Sequence, residues 1–378
     1  MKPLKGIRIA DFTVHNAGPF ATHLLSQLGA EVVKIESAMR PDAFRKPHPV
    51  YGREGPATFD QVASTKLSVR INLKKAEGVA LAKRLVAVSD IAAESFRAGV
   101  LDRLGLGYAA LREVKRDIVL LSVSSCGQDG PDSHFAGYAP LFGAWGALSD
   151  LTGFADGPPV EMRHVMDHTV GMHSAVAVMA ALAQRRMTGE GAHVDVAARE
   201  VASALAGEAL LLSAAGGTTR RMGNMAEGLG PHGVYPAKGE DRWLSIAVRE
   251  DSERAALAAL IGGEPEEEAI SAWSRTRDAN EAAEALQAAG IAAHASWTTP
   301  EIAADPHLRS RHAIVEVAEP DGKRRAAVGV PMRLSKGEDI GIDRGTPRLG
   351  EHEDYVYGEL LGMSRYERQA LETAEVIY

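Results

Sequence analysis

The amino-terminal stretch does most to restrict the fold. Residues 6–12, GIRIADF, alternate and are rich in β-formers, which predicts a strand. HNAGP follows as a loop, with Pro19 suited to the first turn of a helix. FATHLLSQLG predicts that helix, ended by Gly29, and EVVKIE from Glu31 predicts a second strand. A strand, a helix and a strand in succession make a β-α-β unit, normally parallel and right-handed. The alternation recurs: KLSVRINL is strand-like, EGVALAKRLVAVS is an amphipathic helix with Val79, Leu81, Leu85 and Val86 on one side, and DIVLLSVSS is a buried strand. The expected class is α/β, with a Rossmann-like doubly wound parallel sheet.

A chain of 378 residues exceeds what one core usually supports, so two domains are expected. A long helical region from Val170 to about Ser213 is interrupted by TGEGAHVDVA, where HVDVA predicts one more strand. The glycine-rich AAGGTTRRMGNMAEGLGPHG reads as a loop or hinge, and GVYPAKGEDRWLSIAV as a hairpin turned at Lys238–Asp241. The expected organisation is a large Rossmann-like domain over 1–200, a linker over 201–224 and a smaller α+β domain over 225–325. Residues 326–378 then form a linker and a return to the large domain, with RLGEHEDYVYGELLG as a capped helix.

Composition narrows the function. A net charge of -8 argues against nucleic acid as a partner. Cys126 is the single cysteine, so an internal disulfide is impossible and a cysteine-based zinc site is unsupported. The start MKPLKGIRIADF lacks the apolar stretch of a signal peptide, and no run is expected to reach bilayer length. A cytoplasmic protein without membrane partners is expected.

Several chemistries are disfavoured by motif. The loop HNAGPF holds one glycine where a dinucleotide site needs G-x-G-x-x-G, although the helix start can still attract an anion. No G-x-S-x-G elbow is present, and Cys126 beside a buried strand reads as inert packing. His164 and His168 are four apart, but His164 falls before the helix start. Both read as packing or pocket lining, and no metal is expected. Lys66, Arg70, Lys74, Lys75, Arg97 and Arg103 read by default as solvated surface, or alternatively as a phosphate-binding patch suited to coenzyme A. Asp167 heads the apolar run Val170–Ala183. It is either a helix cap, worth about 1 kcal/mol, or a carboxylate doing covalent chemistry, and the local sequence alone favours the cap.

The full length changes that order. GIRIADFTVHNAGPFATHLLSQLGAEVVKIE is similar to the opening of class III CoA-transferases, the group that includes formyl-CoA transferase, carnitine CoA-transferase and α-methylacyl-CoA racemase. The likeness continues through KLSVRINLKKAEG, SFRAGVLDRLGLGY, SVSSCGQDGP, DHTVGMHSAVAVMAAL, RRMTGEGAHVDV and PRLGEHEDYVYGELLG, in order along nearly the whole chain. The resemblance implies that Asp167, in D-x-x-x-G with Gly171, is the nucleophile that attacks an acyl-CoA thioester. An aspartyl anhydride and an aspartyl–CoA thioester would follow as CoA passes to a carboxylic acid. It implies CoA as a substrate and no permanently bound cofactor. It implies a homodimer of interlocked ring-like subunits, and some relatives pair two different chains.

Residue by residue, the resemblance assigns Asn16 to the place of a glutamine beside the reacting carboxylate in formyl-CoA transferase. It assigns Tyr138 to a tyrosine near the acyl site, and Gly230 and Gly233 to the glycines that shield the intermediate. Lys74 and Arg103, with Arg97 and Arg45, are assigned to CoA. Racemase members carry a histidine in place of Tyr138, which argues against racemisation. The sequence departs from its relatives at Pro41 and at Ala63-Ser64-Thr65-Lys66, which motivates the alternative of a non-catalytic CoA-binding subunit. The segments AGYAPLFGAWGALSDLTGFADGPP and GPHGVYPAKGEDRW resemble the branch of benzylsuccinate CoA-transferase.

Overall fold

The computed structural model describes residues 1–45, 57–161, 165–319, 322–335 and 340–378. His164 lies outside the described residues. The chain divides into two compact units, one of residues 1–148, 161–211 and 307–378, the other of residues 149–160 and 212–306.

The first unit is built on six parallel strands: β1 (Arg8–Asp11), β2 (Glu31–Glu36), β3 (Leu67–Arg70), β4 (Ile91–Glu94), β5 (Val119–Ser124) and β6 (His193–Ala197). Their order is β3-β2-β1-β4-β5-β6. The class is therefore α/β with a doubly wound sheet, as the sequence predicts. Alternation along each strand gives each face its own core. Ile9, Val32 and Leu121 point to one face, where α1 (Ala17–Gln27) and the long helix pack through Leu25, Val170 and Val178. Ala10, Val33 and Leu120 point to the other, against α2 (Ala76–Ala87) through Leu81 and Leu85 and the carboxy-terminal Tyr357. Strands buried on both faces explain the continuous apolar runs in the sequence.

The long helix, α3 (Val165–Thr188), has 24 residues. By length and composition it is apolar enough to cross a membrane, which corrects the expectation that no run reaches that length. Val170, Ser174 and Val178 along it are instead buried in the sheet core. The tail also differs from expectation. Asp354–Leu360 forms one wide π-type turn rather than a capped helix, and its leading residue Glu353 makes no side-chain cap. Glu353 instead accepts Arg70 Nε and Nη2 at 2.7 and 2.9 Å. Residues 307–325, read from the sequence as part of the smaller domain, cluster with the first unit. Their hairpin, β10 (Ile314–Ala318) and β11 (Arg324–Val328), carries Arg325, which donates to Ser64 Oγ at 3.1 Å.

The second unit holds an antiparallel sheet of β7 (His232–Pro236), β8 (Trp243–Ala247) and β9 (Ala292–Ala295). The β7–β8 hairpin turns through 238–241, where Ala237 N–H donates to Arg242 O at 2.8 Å. Leu244, Ile246, Leu257, Ile270 and Leu286 form its core.

Candidate active site

The strand order reverses at β1, which pairs with both β2 and β4. Open α/β sheets bind ligands in the crevice beyond the carboxyl ends of the strands at such a point. A cavity of about 490 Å³ lies there, walled by the loops that leave β1, β4 and β5, with Asn16, Arg97, Tyr138 and Asp167 on its surface.

The loop after β1 is fixed from below by buried charge. Lys66 Nζ donates to Asp11 Oδ2 at 2.9 Å, to Pro19 O at 2.9 Å and to Thr22 Oγ1 at 2.7 Å, so one ammonium ties the strand end to the helix start. Asp11 Oδ1 accepts the Thr13 N–H at 3.0 Å, and Lys34 Nζ donates to Thr13 O at 2.9 Å. Burial raises the Asp11 carboxyl, but Lys66 and Lys34 outweigh it and hold the group below its ordinary value. Complete burial pulls Lys66 down to about 8. From β4, Ser95 Oγ accepts Val14 N–H at 2.9 Å and donates to Val14 O at 3.0 Å.

This anchored loop presents Asn16. Asparagine is among the best helix caps, and Asn16 stands at the cap of α1, yet its side chain makes no capping bond. It turns away and donates Nδ2 to Asp167 Oδ2 at 3.4 Å. Asp167 sits in the first turn of α3, where the helix dipole favours an anion. Gly171 lies one turn further on the same face. A Cβ there would stand 2.8 Å from Ala17 O and 2.9 Å from Phe20 Cδ1, so only glycine lets α1 approach this closely. The ring of His168 packs against Phe20 with centroids 4.3 Å apart.

Tyr138 also borders the cavity and is 62% exposed. Its ring meets the edge of His15 at 5.5 Å, and His15 in turn meets Phe44 at 6.3 Å. His15 holds φ at 67°, a left-handed conformation that is uncommon for a residue with a side chain. Sequence reasoning missed His15; its position beside Asn16 was the one available signal. It also missed Glu94 at the end of β4, which accepts Phe96 N–H at 2.7 Å. Burial, with Asp195 and Asp102 adding to it, pushes the Glu94 carboxyl up to about 7.

The expected CoA ligands separate. Arg97 is exposed on the cavity wall. Lys74 is exposed in the turn between β3 and α2 and Arg103 at the end of the short helix Val100–Arg103, both outside the cavity lining. Arg45 is engaged elsewhere: it donates to Glu36 at 2.8 and 2.7 Å and to Pro347 O at 2.9 Å. The wider basic patch is corrected as well. Lys66 is wholly buried, Arg70 pairs with Glu353, and Lys75 lies 3.7 Å from Glu375. Gly230 and Gly233 belong to the second unit, where Gly230 N–H donates to Val248 O at 2.9 Å and Gly233 lies in β7. Burial raises the Cys126 thiol above its ordinary value, which disfavours the thiolate.

Comparisons with known proteins agree on one family. A family model described as CoA-transferase family III matches residues 4–353. The chain is 30% identical over 401 residues to the succinyl-CoA–D-citramalate CoA-transferase of Chloroflexus aurantiacus, covering 100% of this chain and 98% of that protein. It is 31% identical over 404 residues to the succinyl-CoA–L-malate CoA-transferase beta subunit of the same organism, covering 99% and 98%. Among solved structures, a CAIB/BAIF family protein from Brucella suis superposes with a TM-score of 0.84 at 27% identity, covering 95% of this chain and 99% of that one.

Proposed function

The chain belongs to CoA-transferase family III and is an enzyme of that class, and from that premise we propose that Asp167 carries CoA transfer between an acyl-CoA donor and a carboxylic acid. The observation that carries this is the Asn16–Asp167 contact of 3.4 Å on the wall of the switch-point cavity.

The steps balance with these groups alone. An Asp167 oxygen attacks the donor's thioester carbonyl, the C–S bond breaks, and CoA leaves as thiolate, giving an acyl–aspartyl anhydride. The thiolate attacks the aspartyl carbonyl. The donor acid departs as a carboxylate with one oxygen from Asp167, and an aspartyl–CoA thioester remains. The acceptor carboxylate attacks that thioester and forms a second anhydride. The thiolate then attacks the acceptor's carbonyl and restores Asp167. Asn16 Nδ2 orients the carboxylate and steadies charge on its oxygens, and Tyr138 with His15 shapes the acyl end of the cavity. Arg97 on the wall, with Lys74 and Arg103 outside it, meets the CoA phosphates.

Both relatives described above carry succinyl-CoA in their names, so a short dicarboxylic thioester is the donor we favour. We assign the enzyme a homodimer, supported by the apolar stripe Met172, Val176 and Met179 on α3, exposed by 49, 68 and 44%. The beta-subunit relative supports a second arrangement, pairing with a different chain. The single cysteine fits a cytoplasmic location.

Intact-protein mass spectrometry after incubation with succinyl-, acetyl- and aromatic acyl-CoAs and hydroxylamine tests the proposal. A hydroxamate at Asp167, absent in Asp167→Asn, is expected. CoA binding with no adduct from any donor would overturn it.

A further inference from the structure

The loop from β1 to α1 is tied at both ends by buried lysines: Lys34 holds Thr13 O and Lys66 holds Pro19 O, each at 2.9 Å. Its middle is held by one hydroxyl. Ser95, just past the end of β4, accepts the Val14 N–H at 2.9 Å and donates to the Val14 carbonyl at 3.0 Å. A serine hydroxyl has one proton, and here that proton is committed to the protein. Ser95 borders the cavity, yet it is not placed to give a proton to a substrate. The fit around it is close. A Cβ on Gly18 would stand 3.0 Å from Ser95 Cβ and 2.8 Å from Thr13 Cγ2, so the first turn of α1 rests against Ser95.

Val14 leads directly into His15 and Asn16. His15 has a φ of 67°, a conformation that persists only where its surroundings fix it. Asn16 then reaches Asp167 Oδ2 at 3.4 Å, near the limit of hydrogen bonding, so a shift of about half an ångström breaks the contact. The rest of the β4 loop is held separately. Glu94 Oε2 accepts Phe96 N–H at 2.7 Å, and Gln128 Oε1 accepts Gly99 N–H at 3.4 Å, with Arg97 between these anchors. Loss of the Ser95 hydroxyl would free Val14 and leave both of those bonds in place.

Resting on the CoA-transfer reading above, we propose that Ser95 is a positioning residue for the reaction: its hydroxyl fixes the backbone of Val14 and, through His15, sets the Asn16 amide against Asp167. One loop then serves two ends of the reaction. Ser95 aligns the nucleophile, and Phe96–Gly99 carries the side that meets CoA.

The test measures single-turnover acylation of Asp167 by succinyl-CoA, trapped as the hydroxamate, with steady-state kcat and KM, in Ser95→Ala, Asn16→Ala and the double variant. Ser95→Ala is expected to acylate about tenfold more slowly, with KM for succinyl-CoA within about twofold of wild type. In the Asn16→Ala background the same change is expected to cost nothing further, because it acts through Asn16. A residue that supports only the fold would lower Tm and leave acylation by the folded protein unchanged. Ser95→Cys keeps the volume with a weaker donor and acceptor, and its rate is expected to fall between Ser95→Ala and wild type. Wild-type acylation by folded Ser95→Ala, losses that multiply in full in the double variant, or a raised KM with unchanged kcat would overturn the proposal while Asp167 still forms the hydroxamate. If Ser95→Ala does not fold, Ser95→Cys takes its place, and a wild-type rate from it would overturn the proposal equally. Absence of hydroxamate in wild-type enzyme from the full acyl-CoA panel would overturn both this role and the transfer chemistry beneath it.

Discussion

Replacing Gly171 with alanine adds one methyl where α1 packs on α3. That methyl would stand 2.8 Å from the backbone oxygen of Ala17, which cannot rotate away, and 3.2 Å from Ala21 N. Relief requires the helices to part by about 0.5 Å, since carbon–oxygen contacts settle nearer 3.3 Å. Ala17 follows Asn16 directly, and the Asn16–Asp167 contact is already long at 3.4 Å. A further half-ångström takes it beyond hydrogen-bonding distance. Overpacking costs about 1–3 kcal/mol, and the better helix propensity of alanine returns about 1 kcal/mol, so Tm should fall by no more than roughly 8 °C. Misplacement of a reacting group by about 1 Å can cost about 100-fold in rate, so kcat should fall roughly 10- to 100-fold. The assay pairs a thermal melt with single-turnover acylation of Asp167. Gly207→Ala is the control, because nothing lies within 4 Å of its added methyl. Wild-type acylation by folded Gly171→Ala would refute the view that this glycine sets the distance between amide and carboxylate.

Other consequences follow from the buried groups. His23 is buried with Nδ1 3.1 Å from Ser64 O and Nε2 3.0 Å from the Gln27 amide, a pairing the neutral ring satisfies, and burial pulls it from 6.5 to about 3. The unfolded chain takes up that proton first, so stability falls as pH drops from 6.5 toward 3, by up to roughly 5 kcal/mol; His23→Gln should flatten this limb in acid melts. Glu94 is raised from 4.5 to about 7, so it stabilises the fold below 4.5 and loses that contribution as pH rises through 7. Glu94→Gln should therefore be more stable than wild type at pH 8, by up to roughly 3 kcal/mol, in denaturant titrations. Lys66→Met strands the buried Asp11 and should cost about 3–5 kcal/mol; adding Asp11→Asn should recover part of it, and a strictly additive double variant would contradict the pairing.

Local pattern was sufficient for β1, α1 and β2, because strand alternation, a helix-entering Pro19 and a terminating Gly29 all agree there. β4 escaped notice. Its sequence IAAE holds two alanines, poor strand formers, and it is a strand because β1 and β5 flank it, with Ile91 opposite both Ile9 and Val119. Asp167 and Asn16 were visible through likeness along the whole chain; the neighbourhood of Asp167 alone suggested a cap. Lys66 read as a surface base because nothing local announces that Asp11, 55 residues earlier, waits beneath it. His15 depends on a backbone conformation that its side chain does not advertise.

The central claim is that the acceptor acid bonds to Asp167 through oxygen. The direct measurement is a transfer run with an acceptor labelled with oxygen-18 in its carboxylate, followed by mass analysis of the peptide holding Asp167. Closure of the second anhydride leaves one acceptor oxygen on the aspartate, so a gain of about 2 mass units is predicted after one turnover, rising to about 4 on exhaustive cycling. Acyl-CoA product forming while this peptide stays unlabelled would contradict the account.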